Sequence, residues 1–151
     1  MAIPYSLAQV LLVPLIFVPL TYLVGKTTGR KTGWIVFIPL VYTLLLLCSV
    51  AVQIGGGGSY SEVYKWAPVV GLTFGLLADG LSIWMLLTIN ILCLFISVYS
   101  IPYMEHRFHE WEHETGEHVG NKAYASYYTL YLLYSVGMMG TVLSTNLIQF
   151  Y

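Results

Sequence analysis

One uncharged apolar stretch near the middle of the chain constrains the fold more than any other feature. Residues 80–101 contain no charged or histidine side chain. About 20 helical residues cross the ~30 Å hydrocarbon core of a bilayer. Asp79 precedes the stretch and is predicted to cap its helix, since a carboxylate can accept from the free N–H groups of a first turn. Pro102 predicts the end of the helix, because proline disfavours the helical conformation in the residue before it. The stretch predicts a membrane protein.

The composition of the 151 residues agrees with that prediction. Hydrophobic residues make up 58% and charged residues only 9%, whereas soluble domains average about 25% charged. The net charge of −1 and the lack of a basic run give no indication of a nucleic-acid partner. Cys48 and Cys93 lie inside apolar runs, so we expect buried thiols and neither a disulfide nor a metal pair. No Lys or Arg precedes the first apolar run, which is therefore predicted to be a retained helix and not a cleaved leader.

The apolar runs predict an all-α integral membrane protein with about four transmembrane helices in a single membrane domain, residues 1–151. The predicted helices cover about residues 5–24, 33–53, 80–101 and 124–149. Loop 54–79 begins with glycines that exclude a helix there, and its segment Val69–Leu77 is too short to span, so a β-hairpin or a half-buried flap is expected. Loop 102–123 is predicted to be a polar connection.

The distribution of Lys and Arg orients these helices. The turn at 25–33 holds three basic residues and loop 102–123 holds two, while loop 54–79 holds one and the N-terminus none. Cytoplasmic loops carry the excess of basic residues. We therefore expect both basic loops in the cytoplasm, with loop 54–79 and both chain ends outside, and a multi-pass protein of the cell (inner) membrane.

The fourth run combines tyrosines at helical spacing with small residues that allow close helix packing. These positions predict a packing face with an interfacial aromatic belt, and a cofactor-facing tyrosine ladder is the alternative. They are Tyr124, Tyr127, Tyr128, Tyr131, Tyr134, Gly137, Gly140, Thr141 and Ser144.

The segment 106–118 is rich in histidine and contains His109-Glu110-Trp111-Glu112-His113. This matches H-E-x-x-H, in which two histidines one helical turn apart bind zinc and the first Glu is the general base. Its neighbours are charged on every side and no third ligand stands out, which favours a solvated loop. Catalytic zinc and adventitious metal binding are the alternatives. The histidines concerned are His106, His109, His113 and His118.

Charge is absent from the interior of the predicted membrane helices. Only Asp79 stands at the mouth of one of them, where a cap is expected first and a proton-path element second. Ion-conducting helices usually carry ionisable groups at depth, so no proton relay is expected in this chain. The uncharged polar residues could join helices or hydrate a path lined by another part of the protein. They are Thr88, Asn90, Asn146 and Gln149.

Several motifs across the third and fourth runs resemble the antiporter-like membrane subunits of complex I and of multisubunit sodium/proton antiporters. The resemblance covers about residues 60–151 and is greatest to the M subunit, or chain 4, of NADH-quinone oxidoreductase. The motifs are Asp79-Gly80-Leu81-Ser82, Tyr99-Ser100-Ile101-Pro102-Tyr103-Met104, Gly137-Met138-Met139-Gly140, Ser144-Thr145-Asn146-Leu147 and Phe150-Tyr151.

The resemblance implies the N-terminal part of a fold of about fourteen helices, in a proton-translocating subunit of an NADH- or F420H2-quinone oxidoreductase. Its partners would be other membrane subunits of the assembly and the bilayer. The glutamate and lysines that the family uses for protons lie beyond this sequence, so no catalytic, cofactor-binding or metal-binding residue is assigned, and no cofactor is expected in this chain. The alternatives are one subunit of a sodium/proton antiporter, a four-helix membrane metallopeptidase using His109, Glu110 and His113, and a membrane scaffold subunit.

Overall fold

Four helices and one β-hairpin form the part of the chain that the computed structural model describes, which is residues 6–55, 57–67, 72–116 and 118–146. The predicted helical membrane fold is confirmed as a mostly helical one, and the β-hairpin is the departure from an all-α fold. In chain order the elements are α1 (Ser6–Thr28), a short 3-10 turn (Gly29–Lys31), α2 (Thr32–Ile54), β1 (Tyr60–Ala67), β2 (Leu72–Ala78), α3 (Gly80–Thr115) and α4 (Asn121–Leu143).

The helices pack as a bundle in which α1 lies mainly against α4 and α2 mainly against α3. Gly25 allows a close approach of α1 to α4, because a Cβ there would lie 2.8 Å from the Cβ of Ala125. Backbones of membrane helices approach closely at such small residues. Cys93 is buried and Cys48 is exposed on the outside of the bundle, so the expected burial of Cys48 is wrong. Both thiols are free.

Two helical stretches among the described residues are long and apolar enough to cross a membrane. They are Ser6–Ile54, which contains both α1 and α2, and Gly80–Thr115, which is α3. A length of 23 residues gives α1 and α2 about 35 Å each, which suits the thickness of a bilayer. The crossing of the membrane by α4, and hence four spans, stays a prediction.

The expected end of the third helix at Ile101 is wrong. Helix α3 continues through Pro102 and ends at Thr115, where Gly116 adopts φ 70° and donates its N–H to the carbonyl of Glu112. Proline removes one helical hydrogen bond, and a helix survives that loss when neighbouring packing holds it. Residues 102–115 of the predicted polar loop therefore belong to α3 and residues 121–123 to α4, and the described residues between them, 116 and 118–120, lie outside both helices.

The fourth helix ends earlier than expected, at Leu143 and not near residue 149, and residues 147–149 lie outside the described part. Ser144 is extended and forms a β-bridge with Leu76, and Thr145 donates its N–H to the carbonyl of Gly75. The free edge of a strand offers backbone groups to any extended neighbour. This edge therefore competes with the continuation of α4.

A hairpin is present, but it extends beyond the predicted segment, because β1 precedes that segment and β2 continues to Ala78. Part of Val69–Leu77 forms strand β2, while residues 69–71 lie outside the described part. Its partner β1 runs antiparallel, with Glu62 opposite Leu76. The start of the glycine-rich loop is not helical, as expected. The hairpin lies against the first turn of α1 and the end of α4, so these three features share one end of the bundle.

Candidate functional site

A continuous buried face runs along α3, and its spacing of alternately three and four residues is that of a helix packed in a bundle. The face consists of Ile83, Leu86, Asn90, Cys93, Ser97, Ser100 and Met104. Its middle part, Asn90–Ser100, carries small polar side chains and is named the polar seam. At 1.5 Å per residue the seam is about 15 Å long, which is about half the hydrocarbon thickness.

Asn90 forms the N-terminal end of the seam. Its side chain is fully buried and donates to Thr43 Oγ1 of α2 at 2.7 Å, with Met139 Sδ of α4 at 3.8 Å. Thr43 in turn donates to the carbonyl of Leu40. The carboxamide oxygen of Asn90 has no hydrogen-bond partner within the described part of the chain. The side chain therefore ties three helices together at mid-bundle and leaves one acceptor for a further donor.

The remainder of the seam, from Cys93 to Ser100, is hydrogen-bonded to α2 and α4. Ser97 Oγ lies 3.5 Å from the carbonyl oxygen of Gly33, and Ser100 Oγ donates to the carbonyl of Ile96 at 2.6 Å and lies 3.2 Å from Tyr127 Oη. Tyr131 Oη donates to the carbonyl of Cys93 at 2.5 Å. None of the four seam side chains is a carboxylate, lysine or histidine. The seam can therefore hold the helices in register by hydrogen bonds between them.

Several tyrosines of α4 pack inside the bundle. Tyr128 is fully buried, and a Cβ on Gly33 would lie 3.1 Å from its Cζ atom. Tyr127 and Tyr131 stack with ring centroids 6.5 Å apart, and Tyr134 is exposed. The packing face is therefore confirmed for Tyr127, Tyr128 and Tyr131. It is wrong for Tyr134, Gly137 and Thr141, which are exposed, and a Cβ at Gly137 would have nothing within 4 Å. Thr88 is exposed and bonds within its own helix, and Asn146 donates to Thr73 O of the hairpin.

Glu62 is the one carboxylate that is buried among the described residues, and the sequence did not single it out. Its side chain reaches from β1 to the first turn of α1, where Leu7 N donates to Oε1 at 3.0 Å and Ala8 N donates to Oε2 at 2.9 Å. Tyr64 Oη also donates to Oε2, at 2.9 Å. The alternation of Tyr60, Glu62 and Tyr64 on one face of a strand is the signal that could have indicated a buried acid.

Asp79 caps α3 as predicted, because its Oδ1 accepts from Ser82 N at 2.7 Å. The Ser82 amide is also the main reason that the pKa of Asp79 lies below its ordinary value. This fixes the start of α3 beside the hairpin. A role of Asp79 in a proton path stays a prediction.

The opposite end of the bundle carries a charged extension of α3, residues His106–Thr115, which is named the histidine arm. Two contacts hold its base: Arg30 pairs with Glu105 at 2.6 Å, and the Phe108 ring meets the Tyr124 ring edge-on at 4.6 Å. The solvated surface expected for this segment is present, but the arm is a helix and not a loop. Regular helix therefore places His109 and His113 one turn apart.

The arm presents most of its polar side chains in one shallow groove, and no three potential metal ligands converge on one point within the described residues. The groove is lined by His106, His109, Glu110, His113 and Glu114. Glu110, the general base of the H-E-x-x-H pattern, is paired with Arg107 at 3.2 Å and lies 3.5 Å from His106. The fourth histidine of the segment, His118, lies outside this groove. The geometry does not assemble a dry catalytic zinc site.

Glu112 lies beside the groove and ties the arm to the segment that returns to α4. Its Oε1 accepts from Val119 N at 2.7 Å and lies 2.7 Å from His118 Nδ1, and its Oε2 lies 3.5 Å from His109 Nδ1. The Val119 amide, followed by the nearby histidines, lowers the pKa of Glu112. The carboxylate is therefore held ionised next to His109.

Comparison with known proteins gives the same picture for sequence and fold. The family described as "NADH-Ubiquinone oxidoreductase (complex I), chain 5 N-terminus" matches residues 66–113. The A1 subunit of the Na(+)/H(+) antiporter of Staphylococcus haemolyticus is 32% identical over 93% of this chain and 16% of its own length. The chloroplastic NAD(P)H-quinone oxidoreductase subunit 5 of Piper cenocladum is 28% identical over 93% of this chain and 19% of its own length.

Among solved structures, the Mrp complex from Dietzia sp. DQ12-45-1b contains a chain that matches 96% of this chain and 14% of its own, with a TM-score of 0.65 and 22% identity. At that identity the match shows the fold. The chain spans less than a fifth of the relatives it matches. These relatives are an oxidoreductase subunit 5 and an antiporter A1 subunit, and neither is a chain 4. The expected greatest resemblance to chain 4 therefore stays a prediction. In sequence the chain thus resembles the N-terminus of complex I chain 5 and part of a Na(+)/H(+) antiporter A1 subunit, and in fold it resembles part of an Mrp complex.

Proposed function

We propose that this chain forms the N-terminal portion of an ion-translocating membrane subunit, and that it crosses the cell (inner) membrane several times beside other membrane subunits. The observation that carries the proposal is the match over 93% of the chain to both a quinone oxidoreductase subunit 5 and an antiporter A1 subunit. Two long apolar helical stretches support the membrane setting, and so does the absence of buried charged side chains from the helices in the part of the chain that the structure describes.

In this proposal the assembly is a complex I-like oxidoreductase that takes electrons from NADH or F420H2 to a quinone and translocates protons. The match of residues 66–113 to the chain 5 family supports it. The redox chemistry belongs to other subunits. This chain contributes positioning: the polar seam fixes α3 between α2 and α4, and Glu62 fixes the hairpin on α1.

A multisubunit Na⁺/H⁺ antiporter is the second candidate, and a specific observation favours it. The relative with 32% identity is an antiporter A1 subunit, and the structural match is to an Mrp complex. The two candidates share the translocation of cations and differ in whether electron transfer drives it. The role of the described residues is the same in both.

Ion transport in inverted membrane vesicles separates the two candidates. The native gene is deleted, and the deletion strain is complemented with the wild type, with Gly25→Val, or with Gly137→Ala as a matched control. Gly25 faces Ala125 at the α1–α4 contact, whereas a Cβ at Gly137 has nothing within 4 Å. We expect Gly25→Val to abolish transport and Gly137→Ala to retain it.

The energy source then identifies the assembly. Proton uptake that starts on addition of NADH or F420H2 with a quinone supports the oxidoreductase. Sodium-dependent dissipation of an imposed pH gradient, with no electron donor, supports the antiporter. Unchanged transport of both kinds in the deletion strain would refute the proposal.

A further inference from the structure

The helical conformation of the histidine arm has a chemical consequence that goes beyond ion translocation and does not depend on it. In a loop, His109 and His113 would have no fixed relation. In the helix they are four residues apart, and such residues lie on the same face with about 5–6 Å between their Cβ atoms. Two imidazoles at this spacing can bind one metal ion, as in the helix of the H-E-x-x-H pattern.

We propose that His109 and His113 form a two-histidine binding site for a divalent transition-metal ion of the Zn²⁺, Ni²⁺ and Cu²⁺ class, on the exposed face of the arm. Imidazole suits these ions, whereas Mg²⁺ and Ca²⁺ prefer oxygen ligands. Water completes the coordination, because no third protein ligand converges with these histidines among the described residues. The site is a chelating surface site and not a zincin centre.

One ring nitrogen of His109 lies next to a carboxylate, which makes the other ring nitrogen the one open to a metal ion. Glu112 Oε2 lies 3.5 Å from His109 Nδ1. A metal-binding histidine commonly donates its other N–H to a carboxylate, which fixes the tautomer and raises the basicity of the ligand. Glu112 is itself fixed by the Val119 N–H. This arrangement leaves Nε2 of His109 for the ion.

His113 is available for the same ion. Within the described part of the chain it has no hydrogen bond or ion pair, and it is exposed in the groove. Glu114 adds negative charge to the groove, and the charge of Glu110 is largely offset by Arg107. The exposed position lets both imidazoles change rotamer at little cost, so binding needs no movement of the backbone.

The test measures metal binding by the complete chain in detergent, with any affinity tag removed. Isothermal titration with Zn²⁺, Ni²⁺ and Cu²⁺ should give one ion per chain, with Cu²⁺ bound more tightly than Ni²⁺ or Zn²⁺. Mg²⁺ in large excess should not compete. His109→Ala and His113→Ala should each weaken binding at least tenfold, since each leaves the groove without two imidazoles at the four-residue spacing.

The matched control is the double variant His113→Ala/Glu114→His, which keeps four histidines in the chain and shifts one of them out of the one-turn spacing to His109. The new histidine stands four residues before His118, but α3 ends at Thr115, so these two do not share a helical turn. We expect it to bind at least tenfold more weakly than the wild type. Circular dichroism should show the same helix content in all variants, because the altered side chains are exposed. Equal binding by this double variant, or no saturable binding by the wild type, would overturn the proposal.

Discussion

Glu62 provides the sharpest test of how the hairpin is attached to the bundle. The residue is 8% exposed, and its carboxylate accepts from two N–H groups in the first turn of α1. Those N–H groups have no partner inside their own helix, because the first four N–H groups of a helix never do. Leu7 is fully buried, so its amide cannot turn to water when the carboxylate is removed. Glu62→Ala should therefore destabilise the bundle strongly.

The size of the effect follows from these contacts. Hydrogen bonds to charged groups contribute about 1.5–3 kcal/mol each, and loss of a helix cap costs about 0.5–2 kcal/mol. The partly buried amide of Ala8 recovers some hydration, so we expect a loss of about 3 kcal/mol in unfolding free energy. That corresponds to about a hundredfold change in the unfolding equilibrium. Glu62→Gln should cost less, since an amide has one carbonyl oxygen and can accept from only one of the two donors well.

The assay uses the two thiols of the chain. Cys93 is 4% exposed and reacts only after unfolding, whereas Cys48 is exposed. A Cys48→Ser background therefore leaves one thiol that reports unfolding, which a thiol-reactive dye follows during heating in detergent. Glu114→Ala is the matched control, because Glu114 is an exposed carboxylate on the histidine arm. A midpoint for Glu62→Ala that equals that of Glu114→Ala would refute this reasoning.

Three further predictions use the same thiol assay. Gly25→Val should lower the free energy of unfolding by about 1–3 kcal/mol through overpacking against Ala125, and Gly137→Ala should have no such effect. A double-mutant cycle between Asn90→Ala and Thr43→Ala should give a favourable coupling of about 0.6 kcal/mol, the usual value for such pairs in membranes, and zero coupling would contradict their hydrogen bond. The pKa of Asp79 is lowered in the folded state, so the ionised carboxylate stabilises the fold at neutral pH, and this stabilisation is lost as the pH falls through and below the ordinary value of 3.8. Asp79→Asn can still cap the helix but has no carboxylate to protonate, so its stability should depend less on acid pH.

Much of the bundle could be predicted because long apolar runs leave a membrane-spanning chain few options. The helix cores and the Asp79 cap follow from hydrophobicity and from local hydrogen bonding, which sequence shows directly. The ends of the helices depend on tertiary contacts. Pro102 would end an isolated helix, but Arg30 and Tyr124 hold the arm on the far side of it. Tertiary contacts therefore outweigh the local tendency of proline to end the helix.

The candidate site could be predicted only in part, because some of its residues stand out in the sequence and others do not. Asn90 stood out as a polar residue in an apolar run, and the structure gives it a partner in Thr43, 47 positions away in sequence. Glu62 did not stand out, because a glutamate in a loop is usually exposed. Only the fold of the hairpin brings it to the amides of Leu7 and Ala8. Strand pairing of this kind depends on long-range contacts that residue patterns encode weakly.

The central claim is that the chain works as part of an ion-translocating membrane subunit inside a larger assembly. Its most direct test is native mass spectrometry of the assembly isolated from its own membrane through a tag on this chain. We predict a stable complex that contains further membrane subunits, with a total mass many times the 16.9 kDa of this chain. A particle that contains only this chain, alone or as copies of itself, would contradict the claim.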